Sequence, residues 1–237
     1  MPQQLTTPPP TVIFDLDGTL VDTAPDLIAT LNALFEREGV APVPLGQARQ
    51  FIGAGARKLI ERGLAAKGRV LTAAEADRLF AIYVSDYEER IAELSRPFPG
   101  VEDALDALVA RGFRLAVCTN KLERLSIKLL DALDLSRRFA AICGQDTFGV
   151  QKPDPRILTA TVAAAGGSLD LALMVGDSLV DIATARAVNV PVIAVDFGYT
   201  ETPVARHRPD RVISHFDELP GAVTEMIEGA PLAAWRS

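Results

Sequence analysis

Cysteine is nearly absent from this sequence of 237 residues: only Cys118 and Cys143 occur. That excludes a disulfide framework and a multi-cysteine zinc site. Both lie in short apolar runs, RLAVC and AAIC, and read as buried reduced thiols. Histidine is equally scarce, and His207 and His215 sit in a polar C-terminal region with no role assigned. No apolar run approaches the roughly 20 residues that span a bilayer. The opening MPQQLTTPPPT has neither the basic nor the apolar part of a secretory signal, so the expected compartment is the cytoplasm. A basic excess is missing too. Lys and Arg number 24 against 31 Asp and Glu, a net charge of −7. Non-specific nucleic-acid binding and docking on anionic membrane both need a basic face, so neither partner is expected. An anionic small substrate stays compatible, because a local cation overrides a diffuse field. A monomer and a homodimer are both compatible with the sequence.

What is present is alternation. Thr11 to Phe14 (TVIF) is too short for a helix and rich in β-branched residues, which predicts a buried strand. Helical spacing starts after Thr23 and persists over 24–98, with loops at Gly39–Gly46 and Lys67–Thr72 and no strand pattern. Strands are then predicted at Leu115–Thr119, Ala140–Cys143, Leu171–Val175, Val192–Val195 and near Val212–Ile213. Helices are predicted between them, over Val101–Arg111, Leu122–Leu133, Arg156–Ala165 and Leu179–Val188. Strands alternating with helices imply a parallel sheet covered on both faces. The expected fold is α/β: a Rossmann-like core from residues 11–22 and 99–225, with a small all-helical cap inserted at 23–98. Residues 1–10 and 226–237 read as tails.

Four polar clusters interrupt this pattern, three of them just after a predicted strand. The ligand crevice of an open α/β sheet lies outside the carboxyl ends of its strands, so the clusters are expected to converge. The first is Asp15-Leu16-Asp17-Gly18-Thr19-Leu20-Val21-Asp22. Packing does not explain two carboxylates one residue apart at a strand end, whereas a hard cation such as Mg²⁺ wants such oxygen ligands. The second is Thr119-Asn120, either a phosphate cradle or an ordinary helix cap. The third is Lys152 in Lys-Pro-Asp-Pro, either a fixed cation facing developing charge or a solvated lysine. The fourth is Gly176-Asp177-Ser178-Leu179-Val180-Asp181, again carboxylates at a strand end, with helix capping by Asp177 or Ser178 as the plainer reading. In the helical block, Gly53 and Gly55 permit a tight loop. Arg57 or Lys58 could there face a second anionic group, or both could simply be solvated.

In this order the four clusters resemble the motifs of the haloacid dehalogenase-like superfamily of aspartate-nucleophile phosphohydrolases: DLDGTLVDT, the Thr119 strand end, Lys152-Pro153 and GDSLVD. The helical insertion looks like the small cap of one subgroup. The resemblance implies roles residue by residue. Asp15 would be the nucleophile, forming an aspartyl-phosphate, and Asp17 the general acid and base. Asp15, the Asp17 carbonyl and Asp177 would bind Mg²⁺. Thr119, Asn120 and Lys152 would hold the phosphoryl oxygens, with Asp181 and Ser178 supporting from behind. An acid at position 17 favours phosphate esters over halides. IGAGARKLIERGL and FGYTETPV, the latter at residues 197–204, look like phosphoglycolate phosphatases, whose carboxylate substrate fits a cap carrying Arg57, Gly53 and Gly55. The implied partner is a small anionic phosphate ester. Relatives usually end the helix after GDS with Gly where this chain has Asn189, which also tolerates the left-handed conformation. The alternatives are a broad sugar or nucleotide phosphatase, a hexose phosphate mutase, or, in another class, a phospho-accepting signalling module.

Overall fold

The fold is seen in a computed structural model that describes residues 8–200 and 202–228. Of the expected tails, residues 1–7 and 229–237 lie outside the described residues. The core is a six-stranded parallel sheet of β1 (Thr11–Phe14), β4 (Arg114–Cys118), β5 (Ala141–Cys143), β6 (Ala172–Gly176), β7 (Val192–Val195) and β8 (Arg211–Ile213). Its order is β5-β4-β1-β6-β7-β8. The short strands are apolar on both faces because helices cover both sides. Those helices are α5 (Val101–Ala110), α6 (Glu123–Ala132), α7 (Pro155–Ala164), α8 (Leu179–Arg186) and α9 (Leu219–Glu228). Asn189 takes φ of 55°, the left-handed conformation expected of it. Phe14 lies opposite both Val117 and Val175, so the neighbouring strands β4, β1 and β6 end at one level.

Between β1 and α5 the chain forms four further helices, α1 (Ala24–Arg37), α2 (Leu45–Ala48), α3 (Ala56–Ala65) and α4 (Ala73–Glu89). Leu27, Leu31 and Leu34 of α1 and Leu79, Tyr83 and Tyr87 of α4 join one buried cluster. A capping box fixes the start of α4: the Thr72 hydroxyl accepts from the Glu75 N–H, and the Glu75 carboxylate accepts from the Thr72 N–H at 3.0 Å. No helix among the described residues is long and apolar enough to cross a membrane.

Two features depart from expectation. Residues 96–97, within the block expected to be purely helical, form β3 (Arg96–Pro97), which pairs antiparallel with β2 (Val21–Asp22). Two residues per strand leave no periodicity to read. Helix α9 was not expected either, and its end overlaps the predicted tail. Its sequence opens Leu-Pro-Gly, which hides a helix whose first turn tolerates proline.

The β2–β3 ribbon is where the chain leaves the sheet for the helical segment and returns. Beside it, the buried Asp26 carboxylate accepts hydrogen bonds from the Leu94 N–H (3.0 Å), the Ser95 N–H (2.7 Å) and the Ser95 hydroxyl (2.6 Å). This clamp joins the two crossing strands of chain. Asp26→Ala strands three donors and is expected to lower stability by about 2–4 kcal/mol, whereas Ser95→Ala costs about 1 kcal/mol. Urea denaturation checks both. Equal, sub-kilocalorie losses would show that the clamp does not hold the crossing.

Candidate active site

The strand order brings the polar clusters together. Asp15 follows β1, Thr119 follows β4 and Asp177 follows β6, so three loops issue from adjacent strand tips. The Asp15 N–H still donates to the Val175 carbonyl at 2.9 Å, which pins Asp15 to the β6 tip. Lys152 arrives from the loop between β5 and α7. Its N–H donates to Asn120 Oδ1 (2.8 Å), and the Asn120 amide donates back to its carbonyl (3.1 Å). So bracketed, the Lys152 ammonium lies 2.9 Å from Asp15 and 2.6 Å from Asp181, its side chain 1% exposed.

Asp181 serves two purposes. One oxygen caps α8 by accepting from the Ser178 N–H (3.1 Å) and hydroxyl (2.6 Å), and the other accepts from Lys152. The helix cap and the lysine contact therefore share one carboxylate. Asp177 is set between two close backbones. A Cβ on Gly18, where φ is +85°, would lie 2.7 Å from an Asp177 carboxylate oxygen, and one on Gly198 only 2.2 Å from its Cβ. The Thr19 hydroxyl donates weakly to Asp177 at 3.4 Å, and the Tyr199 N–H donates at 2.7 Å. The Tyr199 hydroxyl reaches the other way, donating to Asp22 at 2.6 Å and accepting from the Ala24 N–H at 2.9 Å. Asp22 also pairs with Arg49 at 3.0 Å, so it belongs to the crossing of the chain rather than to the carboxylate cluster.

Carboxylate oxygens of Asp15, Asp177 and Asp181, all buried, lie within 4.8 Å of one another. Burial, followed for Asp177 by its carboxylate neighbours, pushes the carboxyls of Asp15 and Asp177 above the usual range, with Lys152 opposing at both. Burial opposes the charge on Lys152, but Asp15 and Asp181 outweigh it and hold the ammonium protonated. Three buried carboxylates against this one ammonium leave an excess of negative charge, and their oxygen donors suit a hard divalent cation.

Asp17 lies farther out. Both its oxygens accept from the Lys121 ammonium, at 3.0 and 3.2 Å. Lys121 is 5% exposed at its side chain and stands over the Tyr87 ring, 4.4 Å from the centroid. The local sequence signal ends at Thr119-Asn120 and does not reach Lys121, because a lysine opening a helix ordinarily reads as solvated and Asp17 lies over a hundred residues away. A narrow cavity of about 40 Å³ runs from Asp15 and Asp17 past Thr119 and Lys121 to Tyr87 and the Gly53–Gly55 loop. The loop enters with positive φ at both glycines. Gly53 gives its carbonyl to the Asn120 amide (3.2 Å), and Gly55 abuts the Asn120 carbonyl.

Arg57 corrects an expectation. It does not line this cavity: its guanidinium pairs with Asp77 and lies over the Phe80 ring, on the exposed side. Lys58 likewise pairs with Glu61 at 2.6 Å. Helix α3 buries Leu59, Ile60, Gly63 and Leu64, which turns its charged side outward.

The family model for haloacid dehalogenase-like hydrolases matches residues 12–195. A phosphoglycolate phosphatase of Mesorhizobium japonicum is 50% identical over 92% of this chain and 96% of its own. One from Caulobacter vibrioides is 47% identical over 93% of each. Among solved structures, a predicted phosphoglycolate phosphatase from Haemophilus somnus superposes with a TM-score of 0.83 at 27% identity, over 90% of this chain and 97% of that one.

The raised carboxyls carry a pH signature. A group whose folded pKa lies above its unfolded value binds more protons when folded, so its contribution to stability falls as pH rises. In chelator, Asp177→Asn is expected to gain stability over the wild type as pH goes from about 4 to about 8, by on the order of 5 kcal/mol. Paired thermal melts check this. A stability difference that is flat with pH would contradict it.

Proposed function

The chain belongs to the haloacid dehalogenase-like hydrolases, a phosphatase of that family, and we propose that in the cytoplasm it hydrolyses 2-phosphoglycolate to glycolate and phosphate. Residues 23–98 act as its cap. The observation that carries the chemistry is Asp15 fixed at 2.9 Å from a buried lysine, with a second carboxylate, Asp17, on the same loop. The substrate assignment rests on relatives of that name and on the small size of the cavity.

Asp15 attacks phosphorus. A bond forms from its carboxylate oxygen to phosphorus as the bond from phosphorus to the glycolate oxygen breaks. Asp17 protonates the departing oxygen and later takes a proton from the water that cleaves the aspartyl-phosphate, returning Asp15 as a carboxylate. One side chain suits both steps because the second reverses the proton demand. Thr119 and the Asn120 N–H hold phosphoryl oxygens, and Lys152 places positive charge beside them. Asp181 and Ser178 keep Lys152 in place. The carboxylates of Asp15 and Asp177 and the carbonyl of Asp17 would hold Mg²⁺, whose charge, when bound, offsets the repulsion between nucleophile and phosphate.

Phosphate release from 2-phosphoglycolate, against a panel of other monoesters, tests the reading. Asp15→Asn is expected to lower kcat by on the order of 10⁴-fold or more, and Asp17→Asn by about 10²–10⁴-fold. Chelation is expected to abolish turnover and Mg²⁺ to restore it. Arg57→Ala leaves KM within about twofold, since its guanidinium points away from the cavity. Turnover by Asp15→Asn at near-normal rate would remove the proposed nucleophile.

A further inference from the structure

With Arg57 directed elsewhere, the cavity needs another group for the leaving group's negative end. We propose that Lys121 and Tyr87 together form the receptor for the substrate carboxylate, which rests on the assignment of 2-phosphoglycolate as substrate.

Two independent observations converge on this. Among the described residues lining the cavity, the one cation is Lys121, because Lys152 is enclosed behind Asp15. The second is the Tyr87 hydroxyl. It is buried, its residue lines the same cavity, and among the described residues it has no hydrogen-bond partner. A buried hydroxyl without a partner forfeits about 1–3 kcal/mol, so a ligand oxygen supplied there recovers a bond the protein lacks. Tyr83, one turn earlier, donates instead to the Leu27 carbonyl at 3.0 Å, so the deficit belongs to Tyr87 alone of the stacked pair. The phenol is neutral near pH 7 and therefore a donor.

The chemistry of the substrate fits the spacing. In 2-phosphoglycolate the carboxylate carbon is two bonds from the bridging oxygen that Asp17 must protonate. A carboxylate so close to Asp17 meets the ammonium that already contacts both Asp17 oxygens and the face of the Tyr87 ring. The entrance of α3 assists. Gly55 and Ala56 line the cavity, and the helix has no side-chain cap and no acid in its first turn, so its N–H groups favour an anion. Tyr87 comes from the helical segment and Lys121 from the loop after β4, so the receptor exists only when the two are together.

The test compares 2-phosphoglycolate with 2-hydroxyethyl phosphate, the ester in which a neutral CH₂OH replaces the carboxylate. Lys121→Met and Tyr87→Phe are each expected to cost about tenfold or more in kcat/KM on 2-phosphoglycolate beyond their cost on the neutral ester. Lys121→Arg keeps part of the preference. Tyr87→Phe is also expected to melt no lower than the wild type, because the hydroxyl it removes makes no bond in the resting protein. Equal losses on both esters would overturn the assignment and leave Lys121 as a partner of Asp17 only. Wild-type hydrolysis of both esters at one kcat/KM would overturn it while leaving the phosphatase reading intact. Hydrolysis of neither would overturn the reaction itself and the assignment with it.

Discussion

The site depends on one buried ammonium. Lys152, 2.9 Å from Asp15 and 2.6 Å from Asp181, lies where water cannot screen it. Each buried carboxylate carries a desolvation cost of several kcal/mol, and three ionised ones with oxygens within 4.8 Å of one another are untenable without a cation. The rest of the local architecture serves that placement. Asn120 brackets the backbone of Lys152 from both sides, Ser178 orients Asp181, and α8 begins on the same carboxylate that holds the ammonium. Removing any one of these loosens the others, because the carboxylates and the lysine are satisfied only jointly.

The second constraint is the crossing between sheet and helices. Chain continuity runs through the β2–β3 ribbon, and the polar groups around it are nearly all committed. Asp26 holds Leu94 and Ser95, and Asp22 holds Arg49 and Tyr199. Tyr199 then extends the chain of contacts to Asp177 through its N–H. Asp177 and the root of the helical segment thus share one residue, Tyr199, through its backbone and its side chain. On the opposite side, Asn120 reaches the Gly53 carbonyl while also bracketing Lys152. Sheet and helices are tied together at the residues that build the site, which sets how precisely Tyr87 can stand over Lys121.

Much of this was legible in the sequence. The short apolar run before Asp15, and carboxylates directly after two predicted strands, sufficed for an α/β sheet with converging loops, since parallel strands place their carboxyl ends on one edge. Lys152 was legible through its prolines and its order among the motifs. What stayed hidden has no local signature. Lys121 looks like any lysine opening a helix, and its meaning comes from Asp17 and Tyr87. Tyr87 sits in the apolar stripe of α4, where a phenol is indistinguishable from packing. Asp26 reads as a first-turn acid that favours the helix N-terminus, although its oxygens face a segment nearly seventy residues on. Arg57 misled for the converse reason. A basic residue after a glycine loop suggests an anion contact, but the buried face of α3 decides the direction of its side chains.

Charge ties these threads together. The protein carries a net charge of −7, and its site continues the trend: among the described residues, the ion pairs of Asp15, Asp17, Asp177 and Asp181 are with Lys121 and Lys152 alone. Taken as ionised, that set repels a phosphate dianion. The two ammoniums are not pooled, however. Lys152 stands at Asp15, the proposed nucleophile, and Lys121 stands at Asp17, the proposed acid for the departing group. A divalent ion between Asp15 and Asp177 would cancel the remaining excess at the phosphoryl end alone. The field along the cavity would then run between two cations rather than toward one. A substrate with negative charge at both ends is what such a field selects, and an ester of equal size charged only at its phosphate gains from half of it.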